Sequence, residues 1–373
     1  MHYFIFPSAD SWISSGSSQL TGESFKDQNF GQDQILEIGK EFFNKSFEYQ
    51  KRALVNFKGT SFNEMSQSIV NGDIPTNAKF VLKLFEASGN SNLSTEYNIE
   101  AATISQSWDE GVGKFGDNPK TTTGCSWENR NFLNGGSAVT WSNATGFANH
   151  GVSTITSNYG SQSFSYNSSD LSMDVTNMTR TWLDGTNDNN GILLRVSGSP
   201  EIDETTTADL KFFSRNTHTI YAPRLEVQWD GHAIVTGSAT GSLDRLDVSG
   251  NTQNHIYTIG LRESYKDTDV VKFRIGARKQ YIQKSFSTSI NRVSGSFIPE
   301  GSGSYAIQDI ATGEKVIDFS DYTKLSCDTT SNYFIEHLNG FYPDRFYKVL
   351  VKVKYNDNQE IIYDNDFEFK IVR

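Results

Sequence analysis

The chain has 373 residues, with 33 Lys and Arg against 44 Asp and Glu and a formal net charge of −11. That balance lacks the basic field that phosphate contacts need, so nucleic acid is excluded as an expected partner. Its 26 Phe, 16 Tyr and 6 Trp, with 30 Gly and 7 Pro, suit half-buried strands joined by tight turns and do not suit disorder.

The opening run, MHYFIF, is too short and too weakly charged for a signal peptide or a membrane span. It reads as a strand ended by Pro7 and Ser8. Further strand-like runs follow at 34–39 (QILEIG), 52–57 (RALVNF), 79–86 (KFVLKLFE) and 97–102. In KFVLKLFE, Phe80, Leu82 and Leu84 share one face, while Lys79, Lys83 and Glu86 are available to water. Between 124 and 166 the chain turns rich in Gly, Ser, Asn and Thr, and its apolar patterning weakens. A long excursion of this kind inside a domain usually has a task. Its aromatic residues therefore mark an expected partner-facing surface, represented by Trp141, Phe147, His150 and Tyr159. The segment 171–184 (LSMDVTNMTRTWLD) reads as a strand entry passing into a short helix that stops at Asp184-Gly185, with Asp170 or Ser172 as its cap.

Strands resume at 191–196 (GILLRV) and 224–229 (RLEVQW), and the first domain is expected to end near residue 230. Two more strand clusters follow, which gives domains at 1–230, 231–300 and 301–373. In the last of these, Tyr347, Val349, Val351 and Val353 alternate with more polar neighbours, as one core face of a sandwich strand should. In the same domain Tyr342, Arg345 and Phe346 sit at a loop-to-strand corner, a second expected contact surface. Closely spaced strands with almost no helix predict an all-β chain.

The residues with chemical potential form no complete constellation. Cys125 and Cys327 are far apart and read as two reduced thiols in different domains. The six His show no metal-ligand spacing, and there is neither a Gly-x-Ser-x-Gly elbow nor a phosphate loop. No cofactor is expected. Asp109 and Glu110 follow Trp108, and Glu128 follows Trp127. Carboxyl pairs beneath indoles are what a glycosidase needs. The alternative is that both Trp plug the sandwich while the acids bond loop amides or pair with Arg130. Asp184, Asn187, Asp188 and Asn190 form an oxygen-rich turn. They suit either Ca²⁺ or a plain helix stop, and their spacing differs from that of an EF-hand loop.

Several of these pieces occur in an order that resembles the DNRLRE family of jelly-roll-like β-sandwich modules, over roughly residues 5–230. They are Asp10-Ser11-Trp12-Ile13, Asn29-Phe30-Gly31, the RALVNF strand, Trp108-Asp109-Glu110-Gly111, Gly124-Cys125-Ser126-Trp127, Trp182-Leu183-Asp184-Gly185, Phe213-Ser214-Arg215 and Ala222-Pro223-Arg224-Leu225. The string that names the family is absent, and the excursion after Arg130 is unusually long. The C-terminal strands are similar to immunoglobulin-like domains appended to tailed-phage structural proteins, notably at 318–326 and 367–373. Together these resemblances imply a jelly-roll-like β-sandwich followed by one or two immunoglobulin-like β-sandwiches. They imply a non-enzymatic virion component of the neck, tail, baseplate or fibre adaptor, assembled in the host cytoplasm. Its partners would be other virion proteins and further copies of itself, not a membrane. The alternative is a carbohydrate-binding or cell-surface module, and behind it a polysaccharide-degrading enzyme.

Overall fold

A computed structural model describes residues 1–18, 20–43, 46–88, 97–132, 136–142, 151–155, 159–164, 170–234, 241, 243–250, 253–281, 286, 294–356 and 358–373. The chain is all-β apart from two short helices and one 3₁₀ turn among these residues, and its antiparallel sheets are arranged as β-sandwiches. Residues 5–227 form one unit, and residues 228–373 form a second together with residues 1–4.

The first 228 residues carry β1 (His2–Ile5), β2 (Ala9–Ser14), β3 (Ile35–Phe43), β4 (Ser46–Asn56), α1 (Thr60–Asn71), β5 (Lys79–Leu84), β6 (Glu86–Ser88) and β7 (Tyr97–Thr103). Then come β8 (Asn129–Phe132), β9 (Ala138–Thr140), β10 (Gly160–Phe164), β11 (Leu171–Asp174), α2 (Thr176–Leu183), β12 (Ile192–Val196), β13 (Asp209–Phe213) and β14 (Arg224–Gln228). In the 5–227 unit one sheet runs β10-β7-β12-β4-β3-β13-β6, with β2 also on β4, and β14, β5 and β11 lie side by side in another. Strand β12 is hydrogen-bonded between β4 and β7 and is buried at every position, which explains the unbroken apolar run Ile192-Leu193-Leu194. In β5, Phe80, Leu82 and Leu84 are buried as their alternation requires; Val81 is buried as well, where α2 lies against the strand.

The strand-to-helix passage at 171–184 is present, but its cap is not the expected one. Val175 occupies the N-cap position without a side-chain cap, and Asp174 Oδ1 accepts the Thr176 N–H at 3.0 Å. Helix α1 was not legible: only Phe62 and Met65 are buried on it, too few to set a helical period, and Gly72 ends it in the left-handed conformation. The described parts of the 124–166 excursion are structural. Residues β8 and β9 pair as a hairpin, β10 extends the sheet edge, and Cys125, Trp127, Trp141 and Val152 pack with Ile13, Leu54, Ile104, Trp108 and Leu193.

The 228–373 unit carries β15 (Asp244–Arg245), β16 (Asn254–Ile259), β17 (Ser264–Lys266), β18 (Val270–Lys279), β19 (Ser296–Phe297) and β20 (Gly303–Asp309). It continues with β21 (Lys315–Ile317), β22 (Ser326–Cys327), β23 (Asn332–His337), β24 (Phe346–Lys354), β25 (Glu360–Tyr363) and β26 (Glu368–Val372). One sheet runs β15-β19-β18-β23-β22, with β16 on β18, and the other runs β17-β26-β24-β20-β21, with β25 on β24. Tyr305 of β20 stacks on Phe334 of β23 with centroids 3.7 Å apart, and Phe273 of β18 reaches Phe369 of β26 at 5.3 Å. These rings join the two sheets in one core that draws on Leu246 through Ile371. The 231–300 and 301–373 stretches therefore share a core, where the sequence left one domain or two open. Phe4 lies in that same core, so the first four residues, expected in the N-terminal domain, complete the C-terminal one.

Candidate functional site

The short motifs of the N-terminal half come together around Asn29, which is fully buried. Its amide donates to the carbonyls of Glu110 and Cys125, both at 2.7 Å. Its Oδ1 accepts the N–H of Gly31 at 3.1 Å and of Gly113 at 2.8 Å. Gly124, at φ +109°, completes this junction: a Cβ there would sit 2.4 Å from the Gly111 Cα and 2.7 Å from Asn29 Nδ2. Every donor and acceptor of the Asn29 side chain is thus occupied in tying three loops together.

Beside that junction lie Asp10, Glu110 and Arg215. Glu110 Oε1 accepts the Asp10 N–H at 3.0 Å, and both Glu110 oxygens accept Arg215 Nη1, at 2.9 and 2.8 Å. Asp10 Oδ2 accepts the Arg215 N–H at 2.6 Å, while Oδ1 is buried without a hydrogen bond among the described residues. Burial raises the Asp10 pKa to about 7, with the Glu110 charge adding to it and the bond from the Arg215 amide opposing it. A proton-holding acid beside an anion is a chemically capable pair, but Asp10 is 1% exposed and Glu110 is occupied by Arg215. Asp109 and Glu128 point outward as exposed side chains, and their backbones bridge loops. The expected partner Arg130 instead bonds Ser107 at 2.8 Å. Trp108 and Trp127 are buried in the core, with the Trp108 indole donating to the Asn190 carbonyl at 2.8 Å.

A second polar group lies inside the same unit. Arg52, stacked 4.7 Å over Trp127, donates to both oxygens of Glu201, at 2.7 and 3.1 Å. Arg195 joins Glu201 to Glu100 through two bonds of 2.9 Å. Buried charges persist only when paired in this way. In the 228–373 unit, Glu336 is completely buried on β23 and accepts His2 Nδ1 at 2.9 Å, the His2 N–H at 2.8 Å and the Tyr305 hydroxyl. Burial pushes the Glu336 pKa up, but the His2 charge and hydrogen bond, the N-terminal ammonium 3.8 Å away and the Tyr305 hydroxyl outweigh it and hold the carboxyl below its usual range. None of these clusters was anticipated. The available signal was a charge inside an apolar strand run: Arg52 before ALV, Arg195 in GILLRV and Glu336 in YFIEHL.

The expected contact residues divide. Trp141 is 8% exposed, and its indole donates to the Ser126 carbonyl at 2.9 Å, so it packs as a core residue. Phe147 and His150 lie outside the described residues. Tyr159 is exposed. At the other expected surface, Arg345 pairs with Asp309 at 2.8 Å, Tyr342 is half-buried and Phe346 is exposed. The oxygen-rich turn is a helix stop: Asp184 Oδ1 accepts the Thr186 N–H at 2.8 Å, the Asn187 N–H reaches the Thr181 carbonyl and Asn190 is buried. Among the described residues no three His, Cys, Asp or Glu side chains converge as a metal site. Cys125 and Cys327 are buried in different units, and burial raises their thiol pKa values to about 12 and about 11.

No protein family matches the chain by its sequence profile, and no curated protein matches it. Among solved structures, the adhesin domain of Epf from Streptococcus pyogenes aligns over 100% of this chain and 91% of that one, at 10% identity and a TM-score of 0.18. A likeness that slight says nothing about fold or activity.

Proposed function

We propose that the chain is a non-enzymatic structural component of a tailed-phage virion that works by docking onto neighbouring proteins. The supporting observation is a corner of the 228–373 unit where Phe346 and Ile310, 52% and 38% exposed, are joined by a bond of 3.0 Å from the Ile310 N–H to the Phe346 carbonyl. The Arg345–Asp309 pair and the bond from the Tyr342 N–H to the Tyr347 hydroxyl, at 2.9 Å, fix this corner on β20 and β24. A rigid scaffold that presents apolar and aromatic side chains to water loses little entropy on docking, and symmetry multiplies modest contacts. The neck, tail, baseplate and fibre adaptors are the positions such a protein fills.

The test is peptide mass spectrometry with copy-number estimation on phage particles purified from the source culture, first with the natural chain and then with Phe346→Asp. The natural chain is expected in particles. The variant is expected to fold and to be lost from them. Absence of the natural chain overturns the virion reading, and undiminished incorporation of the variant overturns docking through this corner.

A further inference from the structure

On the outer face of the sheet formed by β16, β18 and β23, Tyr3 and Trp229 pack against His337 at the end of β23, and a row of cationic and aromatic side chains runs along β16 and β18. The inner face of the sheet is the core, through Ile256, Phe273, Ile275, Ala277 and Phe334. Strand alternation then sends His255, Tyr257, Arg278, Arg274, Lys272 and Tyr333 outward. Tyr257 lies across Gly276 of the next strand; a Cβ on that glycine would be 2.4 Å from the ring. His255 stacks beside Tyr257 with centroids 5.8 Å apart. On the far side of β18, Lys272 sits 3.6 Å over the Tyr333 ring, and Arg274 and Lys272 both hold Asp328, at 2.9 Å. Arg278 bonds only the Lys279 carbonyl, at 3.1 Å, and no carboxylate among the described residues pairs with it.

The charge of this face contrasts with that of the chain. Residues 5–227 hold 16 Lys and Arg against 25 Asp and Glu, whereas 228–373 with 1–4 hold 17 against 19. The face itself is cationic, with Arg278, Arg274 and Lys272 along one strand and Asp328 as its carboxylate. Protein interfaces deplete charge at their centre; here the cations are central, and the exposed apolar residues, Ile259 and Val270, stand at the ends of β16 and β18. Fixed phenol rings between cations fit a ligand that offers C–H faces and regularly placed anions.

We propose that this face binds an anionic polysaccharide, with Tyr257 and Tyr333 against sugar rings and Arg278, Arg274 and Lys272 against its carboxylates or sulfates. This is separate from the docking corner at Phe346, and either can fail alone. The full chain is titrated calorimetrically with polygalacturonate, dextran sulfate, neutral dextran, poly-glutamate and single-stranded DNA. Binding to at least one of the two anionic glycans, and to none of the other three, is expected; which one binds distinguishes carboxylate from sulfate recognition. Arg278→Gln with Lys272→Gln should weaken that binding about tenfold or more and flatten its salt dependence, because screened ion pairs supply it. Tyr257→Leu, which keeps Gly276 covered, should weaken it several-fold with the salt dependence unchanged. Failure to bind either anionic glycan, equal binding of poly-glutamate, DNA or neutral dextran, or full affinity in the Arg278/Lys272 variant overturns the proposal.

Discussion

Asp10 in the 5–227 unit and Glu336 in the 228–373 unit are both deeply buried carboxyls, and the two behave oppositely. Asp10 of the 5–227 unit is 1% exposed and its pKa is raised to about 7; Glu336 of the 228–373 unit is 0% exposed and its pKa is lowered. Depth is therefore not what separates them. Asp10 faces the like charge of Glu110 and is answered mainly by one backbone N–H, while Glu336 receives an imidazole, an amide and a phenol. The company a carboxyl keeps, more than its burial, decides whether it holds a proton.

The largest break of this contrast is expected from removing the company of Glu336. His2→Ala should leave a buried, under-satisfied carboxylate and destabilise the 228–373 unit by about 3–5 kcal/mol. Hydrogen–deuterium exchange, read by mass spectrometry for each unit, should show the loss in 228–373 and not in 5–227. Equal protection in that unit would mean that the imidazole is dispensable. Adding Glu336→Gln to His2→Ala should recover part of the loss, since a neutral amide oxygen still accepts from Tyr305 and the residue-2 N–H without leaving an unpaired charge.

The pH responses should differ in sign. The folded pKa of Asp10, about 7, lies above the ordinary 3.8. Its contribution is therefore full below about pH 4 and disappears as pH rises through about 7, a change on the order of 4 kcal/mol in the 5–227 unit. Asp10→Asn should remove that decline and exceed the natural chain in stability at pH 9, measured by urea unfolding at stepped pH. Glu336 contributes above its unfolded value, 4.5, and that contribution is lost as pH falls through the lower folded value. A 228–373 unit that gained stability on acidification would refute the assignment. A smaller effect sharpens the comparison: Glu110→Gln removes the like charge, so the Asp10 midpoint, followed by carboxyl-carbon NMR, should fall below about 7. Smallest of all, Phe346→Asp should change stability by no more than about 1 kcal/mol, because about half of the side chain is already in water. A larger loss on thermal unfolding would make Phe346 a packing residue and not a contact.

Much of the architecture was legible in the sequence because strands announce themselves locally. The alternation of Phe80, Leu82 and Leu84, the run Ile192-Leu193-Leu194 and the set Tyr347 to Val353 each mark a buried face that the structure contains. The helix Thr176–Leu183 was also local, since its apolar spacing and Asp-Gly stop lie within one segment. Helix α1 escaped because two buried residues set no period.

What the sequence alone determined is therefore the all-β class, the main strands and the acidic balance, all properties of neighbours along the chain. Only the tertiary structure decided which distant residues share a core. It put residues 1–4 with 228–373, turned Trp141 inward, and matched Glu110 with Arg215 and Glu336 with His2. Those choices depend on strand register and partner charge across 105 to 334 residues of separation. Period along the chain says which face of a strand is buried, but not what it is buried against.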